Sequence, residues 1–149
     1  LKVRLYPSQE QKTFLDKSLG TSRFFYNHLL NERLEFYKNE IEPTKDDEKL
    51  KKEKYKLFKP TSRKQFKEMF EFCKEPFDDC LCSSERNLKK AFDNYFESIK
   101  QYKQGLIKKE EIKTPKFKKK NGKNSYTDCH IKNNAFDFSH KPSKEDSTL

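Results

Sequence analysis

Large apolar side chains recur at helical spacing through most of this chain. Ser8 stands three residues before Gln11, the spacing of a capping box, and Phe14, Leu15 and Leu19 follow on one helical face. Gly20 reads as the end of that helix. Thr21 or Ser22 then caps a second one, whose inward face holds Phe25, Leu29 and Phe36 beside Tyr26, Leu30, Leu34 and Tyr37. Two helices joined by a glycine-containing turn make a helix-turn-helix in the loose sense. Pro60 precedes a second capping box, Ser62 to Gln65. Phe66, Met69, Phe70 and Cys73 mark the stripe of a further helix, which Glu75-Pro76 ends. From Asp78 or Asp79 onward, Leu81, Leu88, Phe92, Tyr95, Ile99 and Tyr102 give the clearest amphipathic pattern. Gly105 falls just past its end, where a left-handed C-cap sits.

The chain ends read differently. Val3 and Leu5 alternate with Lys2, Arg4 and Tyr6, the period of a short strand, and Pro7 stops it. Ser125-Tyr126-Thr127 and Ile131 are strand material. Asn133-Asn134 before Phe136 and Phe138 suggests a hairpin turn, and the polar stretch 142–149 reads as a disordered tail. Between the helices, five acids face one lysine from Glu40 to Glu48, whereas nine basic residues face the single Glu53 from Lys49 to Lys67. The weakly apolar stretch 41–59 across this reversal reads as a solvated connection with helical character in its second half.

Composition changes this picture in two ways. With 32% hydrophobic and 39% charged residues in 149, a core has to rest on large side chains, and 14 Phe and 7 Tyr supply them. The formal charge of +10 concentrates polyanions around the molecule and makes nucleic acid the leading partner class. No apolar run spans a bilayer and no signal-peptide pattern opens the chain, so a soluble, cytoplasmic protein without a membrane partner is expected. Cys80, Cys82, Cys129 and His130 can be drawn as a zinc site. Their C-x-C and adjacent Cys-His spacings depart from the usual C-x-x-C pairs, however, so free thiols and no metal are expected.

Seven lysines, at 113, 116, 118, 119, 120, 123 and 132, oppose only Asp128 between residues 113 and 132. Pro115, Phe117 and then Ser125, Tyr126 and Thr127 interleave with them. Ammonium groups neutralise phosphates, hydroxyls orient on them, and aromatic faces stack on any base. Candidate catalysis is poor by comparison. Asp46-Asp47 and Asp78-Asp79 are adjacent acids that cap helices or sit in solvent rather than forming a two-metal site. No Ser-His-Asp or Cys-His arrangement is identifiable, His28 lies among aromatic and aliphatic neighbours, and the three glycines form no phosphate-cradling loop. No catalytic residue and no cofactor is expected.

Several blocks in order resemble one family. Lys2-Val3-Arg4-Leu5-Tyr6-Pro7 with Gln9 and Gln11, then Gly20-Thr21-Ser22-Arg23-Phe24-Phe25-Tyr26-Asn27-His28, are similar to the opening of the TnpB/OrfB transposon-associated proteins. Arg86-Asn87-Leu88, Ala91-Phe92, Asn94-Tyr95-Phe96, Pro115-Lys116-Phe117-Lys118 and Ser125-Tyr126 match later blocks. The resemblance spans residues 2–138. It implies a relative of the RNA-guided DNA endonucleases ancestral to type V CRISPR nucleases, in which a transposon-derived guide RNA directs the protein to DNA and a RuvC-like domain cuts.

On that resemblance the fold is mainly α: a helix-turn-helix-like helical bundle inserted into a partial wedge-type β-barrel. Residues 1–7 are the barrel's first strand, 8–105 the helical recognition bundle, 106–141 the basic segment and remaining strands, and 142–149 the tail. Leu88, Phe92, Tyr95 and Ile99 are expected to face Phe25, Leu29 and Leu30 in one core. The expected function is a DNA- and guide-RNA-binding fragment of a transposase or RNA-guided endonuclease. Not itself an enzyme, it stops before the RuvC acids and the carboxy-terminal zinc ribbon. The alternative is a helical protein–protein interaction domain with a solubilising basic surface. Expected nucleic-acid contacts are Lys59, Arg63, Lys64, Arg86, Lys90, Asn94, Lys113, Lys116, Lys118, Lys119, Lys120, Lys123, Ser125, Tyr126 and Thr127. Asp78, Asp79 and Cys82 stand where relatives often carry Lys or Gln, and Glu85 replaces an expected apolar residue.

Overall fold

The Ser8 hydroxyl accepts from the Gln11 backbone N–H while the Gln11 side chain accepts from the Ser8 N–H, so the first capping box closes as its spacing predicts. The computed structural model describes residues 6–44, 46–122 and 125. Four α-helices carry the fold: α1 (Gln9–Phe36), α2 (Glu48–Leu57), α3 (Arg63–Met69) and α4 (Asp78–Lys103). A π-helical turn at Tyr37–Ile41 and a 3-10 turn at Glu42–Thr44 leave α1, and another 3-10 turn at Glu71–Lys74 leads from α3 to α4. The Ser62–Gln65 capping box opens α3. Gly105, at φ 73°, closes α4 while the Leu106 N–H reaches back to the Gln101 carbonyl, which is the expected left-handed cap.

One expectation fails inside α1. Gly20 does not end a helix: α1 runs without interruption for 28 residues, and Thr21 and Ser22 are buried in its interior rather than capping a second helix. A glycine costs a helix only about 1 kcal/mol relative to alanine. Here that cost is outweighed by the surface α1 buries against α4. The two helices run in the same direction, with Phe14 against Phe77, Ser22 against Ser84 and the Arg33 guanidinium over the Phe92 ring. Where they meet most closely the side chains are small. Ser18, Thr21 and Ser22 of α1 and Cys80, Ser83 and Ser84 of α4 are all buried. The Ser84 hydroxyl lies 2.9 Å from that of Ser22 and 2.7 Å from the Ser22 carbonyl, an approach that a larger residue would block.

α3 lays Phe66 into the resulting groove. Its ring is fully buried, 4.5 Å from Phe25 and 5.2 Å from Phe24. Phe25, Tyr26, Leu29, Leu30, Phe66, Cys73, Cys80, Leu81, Leu88 and Phe92 form one core, with Tyr95 packed at its edge. The expected facing of Leu88 and Phe92 on Phe25, Leu29 and Leu30 is therefore present, while Ile99 lies outside that cluster. α2 buries none of its residues, as its solvated sequence predicts.

The expectation of a bundle inserted into a partial wedge-type barrel is corrected: every element of the described residues is helical, and they contain no strand, sheet or barrel. Tyr6 and Pro7 carry no strand, and Ser125 belongs to no element. The remaining strand positions, 1–5, 126–131 and 136–138, lie outside the described residues, as do the hairpin turn and the tail. The barrel came from the resemblance, whereas the apolar spacing of the described chain is helical throughout. The non-helical stretch 112–119 bonds to side chains of α1 and α4 and so builds no ladder.

Candidate nucleic-acid interface

Past Gly105 the chain turns back over the helices, and two polar side chains hold it there. Ser98 is buried near the end of α4, donates to the Tyr95 carbonyl and accepts from the Lys113 N–H at 3.1 Å. About two thirds of the way along α1, the Asn27 side chain accepts from the Lys118 N–H at 2.8 Å and donates to the Lys118 carbonyl at 3.0 Å. An extended residue points both backbone groups to the same side, so one amide side chain serves it as a neighbouring strand would.

The Lys118 side chain follows that anchor. Its ammonium lies 4.5 Å from the centre of the Tyr26 ring, a cation–π contact. Burial lowers the Lys118 pKa and raises that of the Tyr26 hydroxyl. Around this fixed residue, Lys113, Lys116, Phe117, Lys119 and Lys120 are exposed. The segment therefore presents a row of ammonium groups and one half-exposed aromatic ring on a backbone fastened at two points.

A second group of expected contacts gathers where α3 meets α4, with different electrostatics. The Arg63 guanidinium donates to Asp78 at 2.6 Å and lies 3.4 Å from Glu85, and the Lys67 ammonium reaches Asp78 at 2.7 Å. The hydrogen bond from Lys67 and the nearby Arg63 charge hold the Asp78 carboxyl below its usual range despite partial burial. Glu85 is accommodated beside Arg63, and its carboxyl is pushed up by burial. Arg63 is thus engaged by acids, while its neighbours Lys59 and Lys64 are exposed. Arg86, Lys90 and Asn94 are exposed along α4 at successive four-residue steps. Ser125 is exposed; Lys123, Tyr126 and Thr127 lie outside the described residues.

Sequence reasoning missed the residues that do the holding: Asn27, Ser98, Tyr26 and Lys67. Asn27 left one visible trace, a lone amide within the otherwise aromatic and aliphatic run from Phe24 to Leu30. His28 is a structural residue, with its Nε2 3.3 Å from Glu32 and 3.4 Å from the Thr61 hydroxyl. Glu32 in turn accepts from the Thr61 N–H at 3.0 Å, which ties the approach to α3 onto α1.

Cys73 and Cys80 are buried and Cys82 partly so, all as free thiols, and burial pushes the Cys80 thiol up to about 11. Cys129 and His130 lie outside the described residues. Among the described residues no three His, Cys, Asp or Glu side chains gather as a metal site, and no helix is long and apolar enough to cross a membrane.

Residues 1–42 match the family model of the helix-turn-helix domain of IS605 OrfB proteins, so the amino-terminal stretch is similar to that domain. Within that match the described chain forms α1 and the π-helical turn after it, with no turn in between. No curated protein and no solved structure matches the chain.

Proposed function

We propose, from the match of residues 1–42 to the helix-turn-helix family model of IS605 OrfB proteins, that this chain is a nucleic-acid-binding part of a transposon-encoded protein. On this reading it holds DNA and a transposon-derived guide RNA through their phosphates and does not itself cut. The observation that carries the reading is the lysine segment fastened to α1 and α4 through Asn27 and Ser98. A charged loop that only aids solubility gains nothing from such anchoring. A phosphate track does, because ordered ammonium groups lose less freedom on binding.

Lysine ammoniums supply charge without the planar, paired donors that read guanine, so recognition here is of backbone rather than sequence. Arg63 is a poorer candidate for phosphate, since Asp78 and Glu85 already neutralise it. The test replaces Lys113, Lys116, Lys119 and Lys120 together by Gln. Affinity for duplex DNA and for guide-like RNA is then measured across a salt series. Binding should weaken on both, and the salt slope on duplex DNA should fall by about one for each lysine that had neutralised a phosphate. Unchanged affinity and slope on both would move the function to the basic stretch from Lys49 to Lys67.

A further inference from the structure

Resting on that reading, we propose that Phe117 and Lys119 form a binding step for unpaired nucleic acid, in which a base stacks on the Phe117 ring while Lys119 meets the adjoining phosphate. The geometry begins at Asn27. Its amide takes both backbone groups of Lys118, which requires an extended backbone there. Successive side chains of an extended chain point to opposite sides. Lys118 is turned in over Tyr26, so Phe117 and Lys119 are turned out. They stand two residues apart, roughly 7 Å by the rise of an extended strand. Both are exposed, with 49% of Phe117 open to solvent.

A ring and an ammonium displayed side by side suit single strands for a physical reason. Every base has a π-face, but in a duplex those faces are covered by neighbouring base pairs, and only an unpaired base offers one to a side chain. Lysines alone would bind both forms. Phe117 adds the discrimination, and Asn27 acts as a positioning residue that sets which way the ring points. A lone exposed phenylalanine needs no explanation on a surface, but this one sits beside a residue that two hydrogen bonds and a cation–π contact fix in place.

The protein has no tryptophan, so Phe117→Trp introduces a single indole whose emission reports on stacking. The full chain carrying this change is titrated with oligo(dT), oligo(rU) and a duplex of equal length. Both single strands should quench the emission and the duplex should not, and the ratio of the two single-strand affinities tells whether DNA or RNA is the better ligand. Phe117→Ala should weaken single-strand binding roughly 5- to 100-fold while changing duplex affinity less than about twofold. Asn27→Ala should weaken it too, and the double variant should be little worse than Phe117→Ala, because the two act through one step.

If Phe117→Ala leaves single-strand affinity unchanged, or if the duplex quenches the indole equally, the inference fails. The lysine-to-glutamine variant separates the two readings. Abolished binding there with unaltered binding by Phe117→Ala overturns only the stacking step, whereas unaltered binding by both overturns the proposed function as well.

Discussion

Asn27 and Lys118 hydrogen-bond to each other twice across 91 residues of sequence, one side-chain amide closing on both backbone groups of a single lysine. That pairing is the point at which the returning chain is fastened to the second half of α1. Removing the amide with Asn27→Ala leaves the Lys118 N–H and carbonyl to water. Each such bond contributes about 1 kcal/mol net, so the global loss should be about 1–2 kcal/mol. The local effect is more diagnostic. Hydrogen exchange at the Lys118 amide should accelerate strongly while amides within α1 keep their protection. Equal protection of Lys118 in the variant would mean that other interactions hold the segment.

Gly20 gives a prediction of opposite sign. A methyl group added at this position meets nothing within 4 Å, and the residue lies inside a continuous helix. Gly20→Ala should therefore stabilise the protein by about 0.5–1 kcal/mol, through lower entropy of the unfolded chain and better helix propensity. Had Gly20 formed a turn between two helices, the same change would destabilise. A thermal or urea melt decides between them.

The contrast at Gly20 also shows what the sequence could and could not disclose. Caps are local chemistry, and Ser8–Gln11, Ser62–Gln65 and Gly105 were legible because each needs only its own few residues. The α4 stripe was legible because Leu88 and Phe92 recur on one face. The passage of α1 through Gly20 was not, because it depends on a partner: small side chains from Ser18 to Ser22 matter only once Ser84 is placed against them. The segment 113–120 was readable as basic, but which lysine turns inward depends on Asn27 and Tyr26, about ninety residues earlier in the chain. The barrel expectation rested on resemblance alone, and the described helices do not support it.

Phe66 tests the core. Its ring is fully buried and meets Phe24, Phe25, His28 and Phe70. Phe66→Ala should cost about 3–5 kcal/mol, more than the equivalent change at an exposed ring such as Phe72 by most of that amount. Denaturant melts of the two variants provide the comparison. Equal, small losses would place Phe66 outside the core.

The Asp78 cluster makes stability depend on pH with two opposed signs. The Asp78 carboxyl sits below its ordinary value, chiefly through the hydrogen bond from Lys67 and with help from Arg63. An acid whose pKa is depressed by folding contributes stability above its unfolded pKa, and loses it as pH falls through the folded value. Asp78→Asn should therefore destabilise at neutral pH, by about 0.5–1 kcal/mol because the Asp78 side chain is roughly half exposed. That deficit should shrink steadily below about pH 4. Glu85 runs the other way. Burial raises its carboxyl, so folding disfavours the charged form, and the contribution of Glu85 falls as pH rises from its unfolded value through the folded one. Glu85→Gln should accordingly gain on the wild type as pH rises above the ordinary glutamate value, a window that lies above the one in which Asp78→Asn loses ground. The two acids share Arg63, so the effects should not add in the double variant, where the guanidinium loses both partners. Melting temperatures of the three variants from pH 3 to pH 7 provide the check. Curves parallel to the wild type throughout would show that neither carboxyl is perturbed by folding.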